Sequence, residues 1–259
     1  MIEIKQLNKN FGGLKAINDV SLSIKTGTIT GLIGPNGAGK TTLFNIIAGN
    51  IKPSSGKILF NGEDVTALPP HQLFHKGILR TFQIAHEFPT LSVLENLMMV
   101  PGGQTGENIL STWFKTSQIK QEESHLLEKA NKILSILKLD HLGNDPAGTL
   151  SGGQKKLLEI GRTMMVDAKL VLLDEVGAGI NRTLLKEIGN IIQTLNQEMG
   201  NTFFMIEHDL DFISHLCNPV IVMAEGGVLF EGSADEVKKN EEVIESYLGT
   251  GTSSVQKKL

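Results

Sequence analysis

Gly34 to Thr42 read GPNGAGKTT, three glycines, a lysine and two threonines directly after the apolar run Ile29 to Ile33. Gly34, Gly39, Lys40 and Thr41 satisfy the pattern G-x-x-x-x-G-K-[ST]. Glycines let successive backbone N–H groups turn inward around phosphate oxygens, and a following helix aims its positive end at the same point. Gly34, Pro35, Asn36, Gly37, Ala38, Gly39, Lys40, Thr41 and Thr42 are therefore the expected triphosphate cradle. Lys40 is to reach the β- and γ-phosphates, and the Thr41 hydroxyl is to hold Mg²⁺. One charge pair at 4 Å contributes about 4 kcal/mol at an effective dielectric near 20, so Lys40 alone can dominate phosphate affinity.

Two further stretches add chemistry. The apolar run LVLLDE ends in adjacent carboxylates, the arrangement by which phosphate-loop ATPases place one acid on the metal shell and the next beside the attacking water. Asp174 takes the first role and Glu175 the second. LSGGQ, Leu150 to Gln154, precedes the helical stretch KKLLEIGRTMM and is a glycine turn opening a helix, a second anion site in a chain that already has one. Average composition yields that five-residue string in about one chain of this size in several thousand, so chance is the weaker reading. Two phosphate sites and one nucleotide fold are reconciled by head-to-tail pairing of two chains. Ser151, Gly152 and Gly153 of LSGGQ, which ends at Gln154, would then close on the γ-phosphate held by the other chain's Lys40, occluding two ATP molecules.

These residues need a scaffold. Alternation in IEIKQL and VSLSI predicts two half-buried strands, with Ile29 to Ile33 and Lys57 to Phe60 as further strands. KLVLLDE and NTFFMIE are short continuous apolar runs that suit buried parallel strands, separated by an amphipathic helix over Thr183 to Met199. Between about 88 and 148, TLSVLENLMMV and HLLEKANKILSILKLDHL carry apolar residues at helical spacing. PVIVMAEGGVLFEG predicts a hairpin turning at Gly226-Gly227, followed by a helix from about Ala234 to Tyr247. The expected fold is α/β: a phosphate-loop (RecA-like) ATPase core with an N-terminal antiparallel β layer and an inserted α-helical subdomain at about 88–148. It forms a single domain over 1–249 with a polar tail at 250–259.

The whole-chain balance narrows the class. A length of 259 residues with 40% hydrophobic composition can bury a substantial core. A formal net charge of −4 gives no basic footprint for nucleic acid, which is not expected as a partner. The single cysteine, Cys217, allows no internal disulfide and suits packing in a reducing cytoplasm. No apolar run approaches the roughly 20 residues needed to span a bilayer, and MIEIKQL is not a signal peptide, so a membrane role would come through a partner. His71 and His75 sit four apart without a third ligand and are read as a solvated helix face. Asp209 is read as a helix cap.

With glycine loop, acid pair and LSGGQ in one chain, the sequence resembles the ABC-type ATPases from Ile2 to about Leu248. FGGLKAINDVSL, GILRTFQ, AGIN, IEHDLDFI and VLFEGSADEV…NEEVIESYLG are most similar to the cytoplasmic ATPase subunits of branched-chain amino acid importers, with urea and short-amide importer subunits near relatives. The resemblance implies that Phe11 stacks on adenine and that Gln83 senses Mg²⁺ and the attacking water. It implies further that His208 contacts the γ-phosphate and that Asn181 lies in a loop crossing to the partner chain. Glu175, His208 and Gln83 form the implied catalytic set, and Thr41, Gln83 and Asp174 the implied metal set. It also implies a second ATPase chain, identical or different, a membrane permease, an external substrate-binding protein acting through it, and a place on the inner face of the cell membrane. A lipopolysaccharide-type export ATPase and a soluble ABC ATPase of translation or DNA repair are the alternatives; the latter usually has two ATPase units or long inserted arms, which this chain lacks. Two positions depart from the family pattern. Val176 stands where proline usually follows the catalytic glutamate, freeing φ and restoring an N–H. Gly161 stands where a small alanine is usual, at a cost of about 0.5–1 kcal/mol to the helix unless a backbone needs the space.

Overall fold

The computed structural model describes residues 1–81, 87–107, 113, 116–166 and 168–252. The chain divides into two compact units: Met1–Arg80 with Lys169–Ala178 and Leu185–Leu259, and Thr81–Ala168 with Gly179–Leu184.

The first unit carries two sheets. Strands β1 (Ile2–Phe11), β2 (Leu14–Ile24), β4 (Ser55–Phe60) and β5 (Glu63–Asp64) form an antiparallel layer in the order β2-β1-β4-β5. Ile2 pairs with Ile24 on one side and with Phe60 on the other, so the alternation of β1 sends Ile2 and Ile4 into the core. The second sheet orders β10 (Gly227–Gly232), β9 (Val220–Ala224), β3 (Ile29–Ile33), β8 (Thr202–Ile206), β7 (Leu170–Asp174) and β6 (Ile78–Arg80). Its pairs are parallel except for the β9–β10 hairpin. Every residue of β3, β7 and β8 is buried, which explains why these strands read as apolar runs rather than alternations.

Helix α1 (Lys40–Ile47) follows β3 and sets Phe44 against Phe204 of β8, with ring centroids 4.8 Å apart. Helix α2 (Pro70–Lys76) leads into β6, with His71 and His75 both exposed. In the second unit, α3 (Val93–Met98) opens with a capping box between Ser92 and Glu95. Its buried Asn96 accepts the Phe88 N–H at 2.8 Å and donates to the Phe88 carbonyl at 3.0 Å, fixing the chain that enters this unit. Helices α4 (Thr116–Ile136) and α5 (Gly152–Met165) complete its core. A Cβ at Gly161 would lie 2.5 Å from Leu137, and 3.2 Å from both Ile133 and Leu97. The glycine therefore admits the close approach that offsets its helix cost. Helix α6 (Arg182–Met199) follows the Asp174-Glu175 strand end.

Three local readings resolve differently or more fully in three dimensions. The hairpin turns at Glu225-Gly226, one residue earlier than expected. Gly227 pairs with Ala224, and both turn residues have positive φ, 49° and 80°, the primed-turn geometry that matches strand twist. The C-terminal helix is two helices, α8 (Ala234–Lys239) and α9 (Glu241–Thr252), after α7 (Leu210–Leu216). Asn240 interrupts it because its Oδ1 accepts the Val243 N–H at 3.0 Å, capping α9 instead of continuing α8. Cys217 is buried, burial pushes its thiol up, and its Sγ lies 3.3 Å from the Met205 sulfur, so it packs as expected.

Phe204→Ala removes the ring beneath α1 and is expected to cost about 3–5 kcal/mol in urea unfolding. A loss below about 1 kcal/mol would show that α1 is not held by this contact.

Candidate nucleotide site

The end of β3 is where sequence and topology converge. Strand β3 has β8 on one side and β9 on the other, so the loop leaving its C-terminal end emerges at the crevice where open α/β sheets bind ligands. Gly34 and Gly39 make the loop possible. A Cβ at Gly34 would lie 2.1 Å from the Met223 carbonyl oxygen, and one at Gly39 (φ 96°) would lie 2.5 Å from that of Ala16. The β9–β10 turn backs the loop: the Gly226 N–H donates to the Ala38 carbonyl, and the Asn18 N–H to the Gly226 carbonyl.

Inside the loop Lys40 is only 6% exposed. Its Nζ donates to the carbonyls of Gly34 at 2.7 Å and Pro35 at 3.0 Å. Burial lowers its pKa, while the charges of Glu175 and then Asp174 pull it back up. A pocket of about 350 Å³ opens above it, lined by the loop residues Asn36 to Thr42 together with Phe11, Leu14, Lys15, Glu175, His208, Glu225 and Gly226. Phe11, at the end of β1, is 46% exposed and is not a core phenylalanine; the Lys9 ammonium sits 4.9 Å from its ring centroid.

The acid pair closes β7. Asp174 is 7% exposed, and its Oδ2 takes the Arg80 guanidinium at 2.5 Å; a second Arg80 nitrogen donates to Asn45 Oδ1 at 2.6 Å. Glu175 has left-handed backbone, φ 50°. Its Oε1 lies 2.8 Å from Nε2 of His208, which follows β8 by two residues, so the expected base and the expected γ-phosphate contact are hydrogen-bonded to one another. Asp209 caps α7 through the N–H groups of Asp211 and Phe212, each at 3.0 Å.

The LSGGQ stretch lies in the second unit. Ser151 and Gln154 form a reciprocal capping box at the start of α5, with the Ser151 N–H donating to Gln154 Oε1 at 2.9 Å. Gly152 and Gly153 follow the cap, and a Cβ at Gly153 would collide with Leu184 at 1.8 Å. Asn181 accepts the Leu184 N–H at 2.9 Å and so caps α6. Gln83 lies outside the described residues.

The profile of the family described as ABC transporter matches residues 17–178, and that of the branched-chain amino acid ATP-binding cassette transporter matches residues 228–252. A protein of Archaeoglobus fulgidus named as a probable branched-chain amino acid transport ATP-binding protein, LivG, is 42% identical over 99% of this chain and 98% of its own. The ADP conformation of an ATP-binding cassette of an ABC transporter has a TM-score of 0.82 at 39% identity, covering 96% of this chain and 98% of that one. A dimeric post-hydrolysis cassette bound to ADP and Pi has a TM-score of 0.72 at 25% identity, covering 90% of this chain and 99% of the other. The chain belongs to the ABC transporter family, as one of its ATP-binding and ATP-hydrolysing subunits. Among the described residues no helix is long and apolar enough to cross a membrane.

Three residues at this site escape a motif-based reading. Arg80 stands in GILRTFQ, but only the fold brings it to Asp174. Tyr247 of α9 comes up to the main chain of Gly34, with burial raising its phenol. Glu207 is a 4% exposed carboxylate one residue before His208. Its signal was present in the sequence as a charge prolonging an otherwise apolar strand.

Gly39→Ala sets a Cβ on a left-handed backbone against a carbonyl oxygen. It is expected to cost about 2 kcal/mol and to abolish ATP binding in titration calorimetry. Wild-type affinity would show that the loop tolerates another backbone.

Proposed function

We propose that this subunit energises import of amino acids of the branched-chain type through a separate membrane permease. The observation that carries its engine is the meeting of Lys40, Glu175 and His208 at one pocket wall. The cargo reading is supported by the match of residues 228–252 and by the name borne by the relative that aligns over nearly the whole chain.

In this reading adenine stacks on the exposed ring of Phe11, and the triphosphate lies along Gly34 to Thr42. Lys40 exchanges its two loop carbonyls for β- and γ-phosphate oxygens. The Thr41 hydroxyl and the Asp174 carboxylate are hard oxygen donors that suit Mg²⁺, and one Asp174 oxygen lies outside the Arg80 pair. Mg²⁺, when bound, neutralises charge on the phosphates; Gln83 is assigned to the same shell. Glu175 orients and deprotonates the attacking water. His208 donates to the γ-phosphate and keeps the Glu175 carboxylate in place. A second ATPase chain, the same or a partner, supplies Ser151, Gly152, Gly153 and Gln154 across a head-to-tail dimer; that a similar cassette is dimeric supports the pairing. The permease docks near 83–96, and an external binding protein selects the cargo.

Glu175→Gln is expected to bind ATP within about threefold of wild type while kcat falls by about 10² or more. Wild-type turnover would remove Glu175 from the mechanism. In cells lacking the gene, labelled leucine uptake should return with the wild-type chain and not with Lys40→Ala. If only labelled urea behaves so, the cargo assignment is overturned and the engine stands.

A further inference from the structure

Glu207 is a buried charge that the mechanism above leaves unused. It follows the five buried residues of β8 and is itself 4% exposed. A carboxylate so placed costs several kcal/mol of desolvation unless hydrogen bonds compensate it. Its Oε1 accepts the Gly177 N–H at 2.7 Å, and its Oε2 accepts the N–H of His208 at 3.3 Å. One carboxylate thus holds the main chain two residues beyond the proposed base and the main chain of the proposed γ-phosphate contact.

The backbone between these points requires such a hold. The Glu175 N–H donates to the Ile206 carbonyl at 3.0 Å, so the chain is tied to β8 at Glu175 and to Glu207, just beyond β8, at Gly177, on either side of Val176. Between the two ties Glu175 has φ 50°, a conformation that a side chain with a Cβ keeps only when its surroundings over-determine it. Val176 imposes no fixed φ of its own, and Gly177 is conformationally free. The carboxylate also packs onto this segment, since a Cβ at Gly177 would lie 3.3 and 3.4 Å from its two oxygens.

We propose that Glu207 is a positioning residue for ATP hydrolysis, clamping the Val176-Gly177 segment to the His208 main chain so that the Glu175 carboxylate is held at its attacking-water position. The inference rests on the assignment of Glu175 and His208 given above. The hydrogen bonds of Glu207 to Gly177 and His208 both fall on the segment that holds the base and its histidine neighbour, so its loss is expected to separate turnover from binding. A displacement of about 1 Å in a reacting group is enough to cost about 10² in rate.

The test uses the full-length chain, with steady-state ATP hydrolysis and the affinity for a fluorescent ATP analogue measured side by side. Glu207→Ala is expected to lower kcat about 10²-fold while KM and analogue affinity stay within about threefold. Glu207→Gln keeps an oxygen for Gly177 but turns an amide N–H₂ towards the His208 N–H, so it should recover part of the rate, to about a tenth of wild type. This isosteric variant keeps the test valid if the alanine variant does not fold. Wild-type kcat in either variant, or kcat and affinity falling together, overturns the proposal. Glu175→Gln run in parallel distinguishes the two levels. If it is inactive while Glu207→Ala turns over normally, the clamp alone fails; if Glu175→Gln turns over normally, the reading beneath the clamp fails with it.

Discussion

A single desolvated ammonium organises the nucleotide-binding unit. Lys40 is buried, and its charge is met by two carbonyls of the loop that leads to it and, at longer range, by Glu175 and Asp174. That arrangement places demands on four separate parts of the chain. The loop must fold tightly enough to aim its carbonyls inward, which sterics allow only with glycine at 34 and 39. Strand β7 must end level with the loop to bring up its acids, and it does so through a parallel register in which Asp174 stands opposite Ile206 of β8. The β9–β10 turn must brace the loop from behind, and α9 must bring Tyr247 to Gly34.

The sheet order turns this local requirement into a site. Strand β3 has neighbours on both sides, so both walls of the crevice above the loop come from strand ends: Glu175 from β7 and His208 from β8 on one side, and the Glu225-Gly226 turn on the other. Strands β3, β7 and β8 are fixed by buried apolar runs, and the Arg80–Asp174 and Glu175–His208 pairs then hold the polar groups at the tips of the sheet against one another. Around Glu175 the strand stops, and main-chain hydrogen bonds to the Ile206 carbonyl and the Glu207 carboxylate take over.

Most of this was legible in the sequence, because the loop, the acid pair and LSGGQ are contiguous motifs whose chemistry follows from spacing, and because buried strands announce themselves as apolar runs. What was not legible depends on contacts distant in sequence. Arg80 reaches Asp174 only because β6 lies beside β7 in register, and nothing local to RTFQ specifies that neighbour. At Gly161 the sequence leaves open whether a close approach offsets the helix cost, and only the fold brings the side chains of Leu137, Ile133 and Leu97 into the space of the missing Cβ. The break at Asn240 and the turn at Glu225 rest on a side-chain cap and on positive φ at single residues, local features that hydrophobic periodicity does not resolve.

The left-handed backbone at Glu175 has an evolutionary consequence. Most side chains raise the energy there by about 1–2 kcal/mol, whereas glycine is indifferent and asparagine pays less. The position proposed to activate water is thus one where the fold would gain stability by losing the glutamate. In a domain stable by only about 5–15 kcal/mol, selection for robustness and selection for turnover pull in opposite directions at a single residue. A cassette in which drift has put glycine or asparagine at this position should therefore be found sturdier than its active ancestor.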